Sequence, residues 1–308
     1  LLNGSIKAKS DSIKFQLIYA DEIATTRYPY YNFFKKLEIE TKKWKKLLNG
    51  KRKKINFFFD IYGDKSFYVA KKLKADGVKI SSADLNNQNL ILKSLKNFKS
   101  VFITISGLDL STIKKLLKKT NRYKSKIVLL YGIQSEPTKI YDNNFLKLKK
   151  LIKLFPNYKF GVMEHTEGGH KLAKYLPLIP MSYGITHIEK HITIDRKKKF
   201  EDYISALSIK EFKEFCLDIR LAHTSLGTDK LDLNKKEIKY KNLTSKVVVA
   251  SKFISKEKKI KISDIVLKRD KLKSSKNNFF KLIDVKNYKL KNNLLKNQPI
   301  LKSDIKKS

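Results

Sequence analysis

Short apolar runs rich in β-branched residues alternate with longer amphipathic segments through the first 227 residues. The apolar runs are 12–18, 55–61, 77–81, 100–106, 126–132, 158–164 and 185–192. Between them, apolar residues recur at helical spacing, as in 30–48, 111–119, 143–155 and 169–176, and a further helical segment, 208–227, ends at Gly227. Repeated strand–helix alternation predicts an α/β fold with a parallel sheet and crossover helices.

The number of predicted strands narrows the architecture. Seven strands with short crossover connections are one fewer than a (β/α)8 TIM barrel requires. Because the sequence opens without Met and on a helix-like segment, we expect the first strand of the barrel to be the one that is lacking. A doubly wound sheet is the alternative, but no glycine-rich phosphate fingerprint follows the first predicted strand.

The regular alternation of strand and helix patterns ends after Gly227. Residues 228–243 are polar and predict a linker, whereas 244–308 contain short β-rich runs separated by turns. We therefore expect a barrel domain over 1–227, a linker over 228–243 and a small β-rich domain over 244–308.

The charge is strongly positive but unlike that of a typical nucleic-acid-binding protein. Lys and Arg number 69 against 29 Asp and Glu, a formal charge of +40. Only six of the basic residues are Arg, the side chain that reads phosphates and base edges with a planar fork. Lys, Asn and Ile are enriched together along the whole chain, which favours compositional drift over nucleic-acid binding, with an anionic substrate or surface as the intermediate possibility. In each case a positive field attracts small anions.

Cysteine usage and hydropathy indicate the compartment. Cys216 is the only cysteine and lies in a helical pattern, where a small buried side chain is expected rather than a nucleophile. No apolar run reaches the roughly 18 residues that a membrane span needs. We expect a soluble cytoplasmic protein without a membrane partner.

Candidate chemistry lies at the carboxyl ends of the strands, where parallel barrels place their active sites. His165 and His191 follow neighbouring strands, which lie about 5 Å apart, so the two imidazoles can converge on one metal ion. Glu189 shares a strand face with His191. The alternative is that both histidines are ordinary structural side chains, as expected for His170, His187 and His223.

Two lysines lie in otherwise apolar strands. Lys14 and Lys79 either bind an anion inside the barrel or point outward and extend past a helix. Ser81, Ser82 and Ser106 follow strands and offer hydroxyl donors for an oxyanion or a phosphate.

Taken in order, several segments resemble the N-acetylneuraminate (sialic acid) synthases and their relatives that make other nonulosonic acids. The most specific are EHT (164–166), IEKHITIDR (188–196) and DYISAL (202–207). The resemblance also includes IKFQLIYADEIAT and GVKISSADLNN and extends from about residue 12 to the end, where 244–308 resemble the antifreeze-like (SAF) domain of that family. It implies a transferase that condenses phosphoenolpyruvate with an open-chain N-acylhexosamine, such as N-acetylmannosamine, and releases phosphate.

The resemblance also implies roles for individual residues. His165 and His191 match ligands of a divalent metal, Mn²⁺ first, with Mg²⁺ or Co²⁺ as alternatives. Asp84 matches the acid that handles the attacking water, and Arg269 matches a residue that reaches the sugar in a partner subunit, which implies a homodimer with swapped SAF domains. The predicted catalytic residues are Lys14, Lys79, Asp84 and Glu189. The predicted substrate-binding residues are Gln16, Ser82, Ser106, Gln134, Asp202 and Arg269.

The sequence also departs from the family pattern. Asp60 stands where many members place a Thr near the phosphate, Gln134 replaces a frequent Asn, and Glu136 replaces a frequent Tyr. Met163 and Glu164 replace a frequent Ser and a frequent Asp. These departures leave a catalytically degenerate barrel that binds a sugar or a partner as the alternative function, and they leave the identity of the sugar open.

Overall fold

The computed structural model describes residues 1–270 and 277–307. The chain divides into two compact units, Leu1–Gly227 and Thr228–Ser308. The boundary falls at the glycine that the helical pattern predicts as a helix end, and Gly227 has a φ of 62°, the left-handed conformation typical of the residue after a helix.

The first unit contains a seven-stranded parallel sheet in which the strands follow one another in chain order. This confirms the α/β prediction, and each strand falls within a predicted apolar run. The strands are β1 (Ser12–Gln16), β2 (Asn56–Asp60), β3 (Gly77–Ile80), β4 (Ser100–Thr104), β5 (Ile127–Tyr131), β6 (Lys159–Glu164) and β7 (His187–Lys190). A short parallel pair, β8 (Ile192–Thr193) and β9 (Leu207–Ser208), follows.

Helices cover the connections between the strands. They are α1 (Leu2–Lys7), α2 (Ala20–Ile23), α3 (Tyr31–Lys36), α4 (Thr41–Leu48), α5 (Asp64–Lys72), α6 (Gln88–Asn97), α7 (Leu110–Thr120), α8 (Phe145–Leu154), α9 (Leu178–Met181) and α10 (Ile209–Ser225). The helix predicted over 30–48 is divided into α3 and α4. Between them, the Glu38 carboxylate accepts a hydrogen bond from the backbone N of Ala20 at 3.0 Å.

The helix predicted over 169–176 is instead a 3-10 turn, Lys171–Lys174, followed by the short α9. Pro177 ends the segment, because it cannot supply the N–H group that would continue an α-helix beyond Leu176. Burial of Cys216 in α10 agrees with the prediction of a small apolar side chain.

Alternation along the strands separates two apolar layers. Phe57, Phe59 and Ile80 are among the residues that pack under the helices in the main core. A smaller cluster on the opposite sheet face contains Phe102, Val128, Leu130 and Met163. Lys14, Asp60, Lys79 and Glu189 lie on this second face, where Lys79 is the register partner of Phe102 and Glu189 that of Met163.

The two edge strands of the sheet, β1 and β7, border a cavity of about 990 Å³. Its polar wall includes Lys14, Glu189 and His191, and its apolar wall includes Phe212 and Phe215 of α10. Polar groups of the strand ends are therefore accessible from this cavity.

The second unit begins with a helix, α11 (Lys235–Thr244), inside the segment predicted as a linker. Asn234 caps this helix, accepting hydrogen bonds from the backbone N of Lys236 and Glu237 at 2.8 and 3.0 Å. Antiparallel pairs then join β10 (Lys246–Ala250) to β11 (Ile265–Arg269) and β12 (Lys289–Leu290) to β13 (Ile305–Lys306).

Two halves of the second unit repeat one local arrangement. Asp264 accepts a hydrogen bond from the backbone N of Lys261 at 3.1 Å, and Asp304 accepts one from Leu301 at 2.9 Å. Ile254 and Leu294 form a mutual bridge, and both are buried. Among the described residues, no helix has the length and apolar character that crossing a bilayer requires.

Candidate functional site

Two histidines and one glutamate meet beyond the ends of β5, β6 and β7. The rings of His165 and His191 have centroids 5.1 Å apart, and their ligand atoms and one from Glu136 all lie within 4.8 Å of one another. The Glu136 carboxylate is 3.9 Å from His191 Nε2, and the Asp202 carboxylate is 3.6 Å from His191 Nδ1. The convergence expected for His165 and His191 is present, and imidazole and carboxylate are ligands of divalent metals.

Backbone contacts hold the His165 segment in place. The His165 carbonyl accepts hydrogen bonds from the backbone N of Thr138 at 2.9 Å and from Ser205 Oγ at 2.7 Å. Gly168 lies so close to the 204–206 segment that a Cβ there would be 2.0 Å from the Ala206 carbonyl oxygen. Three loops, those after β5 and β6 and the loop before β9, are thereby joined around one imidazole.

The electrostatics keep these histidines neutral. Burial lowers the pKa of His165 to about 4, with a smaller contribution from His191. Burial also lowers the pKa of His191, although Asp202 opposes the shift. A neutral imidazole is the form that binds a metal ion, and His165 Nδ1 is buried without a hydrogen-bond partner among the described residues.

Glu136 and Asp202 complete this end of the site. Burial and the neighbouring Asp202 carboxylate raise the pKa of Glu136 to about 7. Asp202 has a φ of 58°, an uncommon backbone conformation for a residue other than glycine. The chemistry of the donor set fits a divalent cation, whose positive charge would relieve the repulsion between the two carboxylates.

A second group of charges lies deeper inside the sheet. Lys14 Nζ is 2.6 Å from Asp60 and 3.9 Å from Glu189, and Lys79 Nζ is 2.6 Å from Glu189. Both lysines point to the interior, so the alternative of outward-pointing lysines is wrong. Lys79 also lies 3.6 Å from the sulfur of Met163.

The pairing fixes the charge states of this group. Burial alone would lower the pKa of Lys14, but Asp60 and Glu189 outweigh it and hold the pKa above the usual lysine value. Burial would raise the pKa of Glu189, but Lys14 and Lys79 together lower it to about 2. Lys14 is therefore protonated and Glu189 ionised at neutral pH.

An ion pair of a different kind lies on the opposite sheet face. Lys190 Nζ contacts the Glu164 carboxylate, and both side chains are fully buried, with 0% exposure. The two residues are register partners on β7 and β6, and each immediately precedes one of the histidines. Glu164 also accepts a hydrogen bond from the backbone N of Thr166.

The remaining predicted residues occupy several places. Gln16 Oε1 accepts a hydrogen bond from the Tyr62 hydroxyl at 3.2 Å. Ser82 and Asp84 form a 3-10 turn after β3, and burial, with Glu22 nearby, raises the pKa of Asp84. Ser106 donates to the Gly132 carbonyl at 2.6 Å, so its hydroxyl hydrogen is already engaged.

Gln134 is exposed on the loop after β5, and the structure places Glu136 of the same loop beside the histidines instead. Arg269 is exposed at the end of β11 in the second unit.

Sequence reasoning missed Glu136 and Tyr62 as site residues. Glu136 was visible only as a departure from the family pattern, and its approach to the histidines depends on the path of a loop that contains a cis Glu136–Pro137 bond. Burial raises the pKa of Tyr62, and Asp60, Asp84, Asp202 and Glu189 raise it further. Tyr62 follows β2 directly, which was the available signal.

Comparisons with known proteins identify relatives of this chain. A sequence model of the NeuB family matches residues 1–231. An uncharacterized protein of Methanocaldococcus jannaschii is 27% identical over 273 residues, which cover 87% of this chain and 79% of that protein. The pseudaminic acid synthase of Campylobacter jejuni is 32% identical over 120 residues, 39% of this chain and only 33% of the synthase.

A solved structure shows the same fold. The N-acetylneuraminic acid (sialic acid) synthetase of Leptospira borgpetersenii, in complex with citrate, superposes with a TM-score of 0.71 at 24% identity, covering 79% of this chain and 85% of that one. Since the family match extends over 231 of the 308 residues, the chain belongs to the NeuB family.

Proposed function

We propose that this protein is a nonulosonic (sialic) acid synthase that condenses phosphoenolpyruvate with an open-chain N-acylhexosamine and releases phosphate. The observation that carries the proposal is the arrangement of a His165–His191–Glu136 group next to the buried lysines Lys14 and Lys79. A polar group for an aldehyde and a cationic group for a small dianion thus lie in neighbouring parts of one site. Membership of the NeuB family supports the same reaction class.

In this proposal the lysines bind the three-carbon acid. Lys14 and Lys79 contact its carboxylate and phosphate and hold its methylene carbon towards the aldehyde of the sugar. Ser82, at the adjacent turn, donates a hydrogen bond to the phosphate. Ser106 and Gln134 border the substrates, and Gln16 orients Tyr62. Asp202 accepts a hydrogen bond from a sugar hydroxyl.

The bond changes follow from this placement. The methylene carbon of phosphoenolpyruvate attacks the aldehyde carbon and forms a C–C bond. The π bond of the aldehyde breaks, its oxygen takes up a proton to become a hydroxyl, and positive charge is left on C2, the carbon that carries the phosphate. Water adds to C2 while Asp84, whose pKa burial raises, accepts a proton from it. The C2–O bond to phosphate then breaks, phosphate leaves, and C2 becomes a ketone. Glu189 stabilises the positive charge, and together with Asp60 it holds the pKa of Lys14 above the usual lysine value.

A divalent ion held by His165, His191 and Glu136 would act as a Lewis acid towards the aldehyde oxygen. We propose Mn²⁺, with Mg²⁺ and Co²⁺ as alternatives. The second unit is proposed to be an SAF domain, and Arg269 to contact the sugar of a partner subunit in a homodimer.

The proposal is tested by phosphate release from phosphoenolpyruvate by the full chain, with Mn²⁺ and a panel of N-acylated hexoses. We expect release only when a sugar and the metal are both present, and loss of release after chelation. His191→Ala should abolish it, and His223→Ala, an exposed histidine on α10, is the matched control. Binding of substrates without phosphate release in any combination would refute the synthase and favour the degenerate barrel.

A further inference from the structure

Asp60 is a negative charge placed inside the site next to a cation that the site needs. Its Oδ2 accepts a hydrogen bond from Lys14 at 2.6 Å, and the residue is only 8% exposed. Its other oxygen, Oδ1, is buried and has no hydrogen-bond partner among the described residues. Among the described residues, the one hydrogen bond of the Asp60 carboxylate is therefore the one it accepts from Lys14.

The charges around Asp60 balance one another. Lys14, Asp60, Lys79 and Glu189 lie on four strands, β1, β2, β3 and β7, and the register pairs Asp60 with Lys79 and with Gln16. The sum over these four side chains is zero. An anion that enters finds both lysines already paired with carboxylates, so it must share or displace a carboxylate to be neutralised.

We propose that Asp60 is a specificity-determining residue that acts as an internal counter-ion of Lys14 and weakens the binding of anionic ligands at this site. The ligand class, a three-carbon phosphate ester with a carboxylate, is taken from the proposed function. Asp60 competes with this ligand for Lys14, because its carboxylate occupies the position that a carboxylate or phosphate oxygen of the ligand would take.

The test is a direct binding measurement on the full chain. Isothermal titration with phosphoenolpyruvate, and separately with inorganic phosphate, compares the wild type with Asp60→Asn. The asparagine oxygen can still accept the Lys14 hydrogen bond, so the change removes charge while keeping shape. We expect the Kd for phosphoenolpyruvate to fall by about tenfold, the effect expected of removing one competing charge at this distance.

Two further variants isolate the mechanism. Asp60→Thr should lower the Kd for phosphoenolpyruvate as Asp60→Asn does. When Lys14→Met is added to Asp60→Asn, this gain in affinity should disappear, because it operates through Lys14. Asp64→Asn is the matched control, since Asp64 pairs with Lys93 on an exposed surface and should leave the Kd unchanged.

An unchanged or higher Kd in both Asp60 variants, or no detectable anion binding by any of the proteins, would overturn the proposal. These outcomes separate it from the synthase proposal. If the Asp60 variants bind phosphoenolpyruvate more tightly but no sugar is turned over, the role of Asp60 is supported and the synthase is refuted. If sugar is turned over but the variants bind phosphoenolpyruvate as the wild type does, the synthase is supported and the role of Asp60 is refuted.

Discussion

Two neighbouring residues of β7, Glu189 and Lys190, both form short ion pairs, but on opposite faces of the sheet. Glu189 contacts Lys79 at 2.6 Å and Lys14 at 3.9 Å, and its side chain is 17% exposed beside the cavity. Lys190 contacts only Glu164 among the described carboxylates, and both side chains have 0% exposure. The first pair has alternative partners and access to a ligand, whereas the second has neither.

Under the proposed function, the difference separates an ion pair that can meet the substrate from one that only joins two strands. A charge with a second counter-ion can exchange partners when a ligand arrives, at little cost in desolvation. A sealed pair cannot exchange, so it serves only to fix the two strands and the histidines that follow them. Substitutions on the two faces should therefore affect different measurements.

The largest effect is expected for Lys190→Met. It leaves the Glu164 carboxylate buried without its cation, and we expect the free energy of unfolding in urea to fall by about 3–5 kcal/mol. The double variant Lys190→Met with Glu164→Met should recover most of this loss. Lys174→Met, which breaks an exposed pair with Glu214, is the matched control and should cost less than about 1 kcal/mol. A loss as small as that of the control would show that the sealed pair has no structural role.

Lys79→Met should change function more than stability. Glu189 retains Lys14 nearby, so the melting temperature should fall less than in Lys190→Met. The apparent KM for phosphoenolpyruvate should rise by about a hundredfold, since a charge-assisted contact to the substrate is lost. Steady-state phosphate release gives both kcat and KM. An unchanged KM with a large loss of stability would show that Lys79, like Lys190, has a structural role, and the two ion pairs would then not differ in function.

A smaller effect is expected from pH in the metal-free protein. The folded pKa of His165, about 4, lies below its ordinary value of 6.5. Between these values the unfolded chain binds a proton that the folded protein does not, so stability falls as the pH decreases through this window. The chelator-treated wild type should lose about 1–2 kcal/mol more than His165→Asn between pH 7 and pH 4.5, measured by urea unfolding at each pH. Parallel curves for the two proteins would contradict the buried, neutral state of His165.

The smallest effect is expected for Ser205→Ala. The His165 carbonyl keeps the hydrogen bond from Thr138, so the loss of stability should be about 1 kcal/mol. Mn²⁺ affinity, measured by calorimetry, should decrease severalfold because the imidazole is less firmly positioned. Thr244→Ala, which removes an exposed hydroxyl contact on α11, is the control and should not change metal affinity. An unaltered Mn²⁺ affinity in Ser205→Ala would show that the Thr138 contact alone positions the ring.

The sheet was predictable because its signal is local. Each strand, such as β5 over Ile127–Tyr131, is a short apolar run, and burial on both faces of a parallel sheet produces that pattern directly. The histidines were predictable for the same reason, since they follow neighbouring strands. The prediction of a helix over 169–176 was wrong: the segment forms a 3-10 turn, and an α-helix there could not continue past Pro177.

The parts of the site that were not predictable depend on long-range placement. No local pattern indicates that Asp60 contacts Lys14, because the pair is separated by 46 residues and depends on strand register. Nor does spacing indicate that Glu136, rather than Gln134, approaches the histidines, since the loop path decides it. The opposite faces of Glu189 and Lys190 follow from strand alternation, but the complete burial of Lys190 does not.

The backbone at Asp202 carries a consequence for how this chain can vary. At a φ of 58° a glycine would relax the main chain, whereas an aspartate is held in a conformation that most side chains avoid. Replacing it with glycine should yield a protein that melts higher and works less well. The glycine would gain backbone freedom at the expense of the carboxylate that lies 3.6 Å from His191 Nδ1.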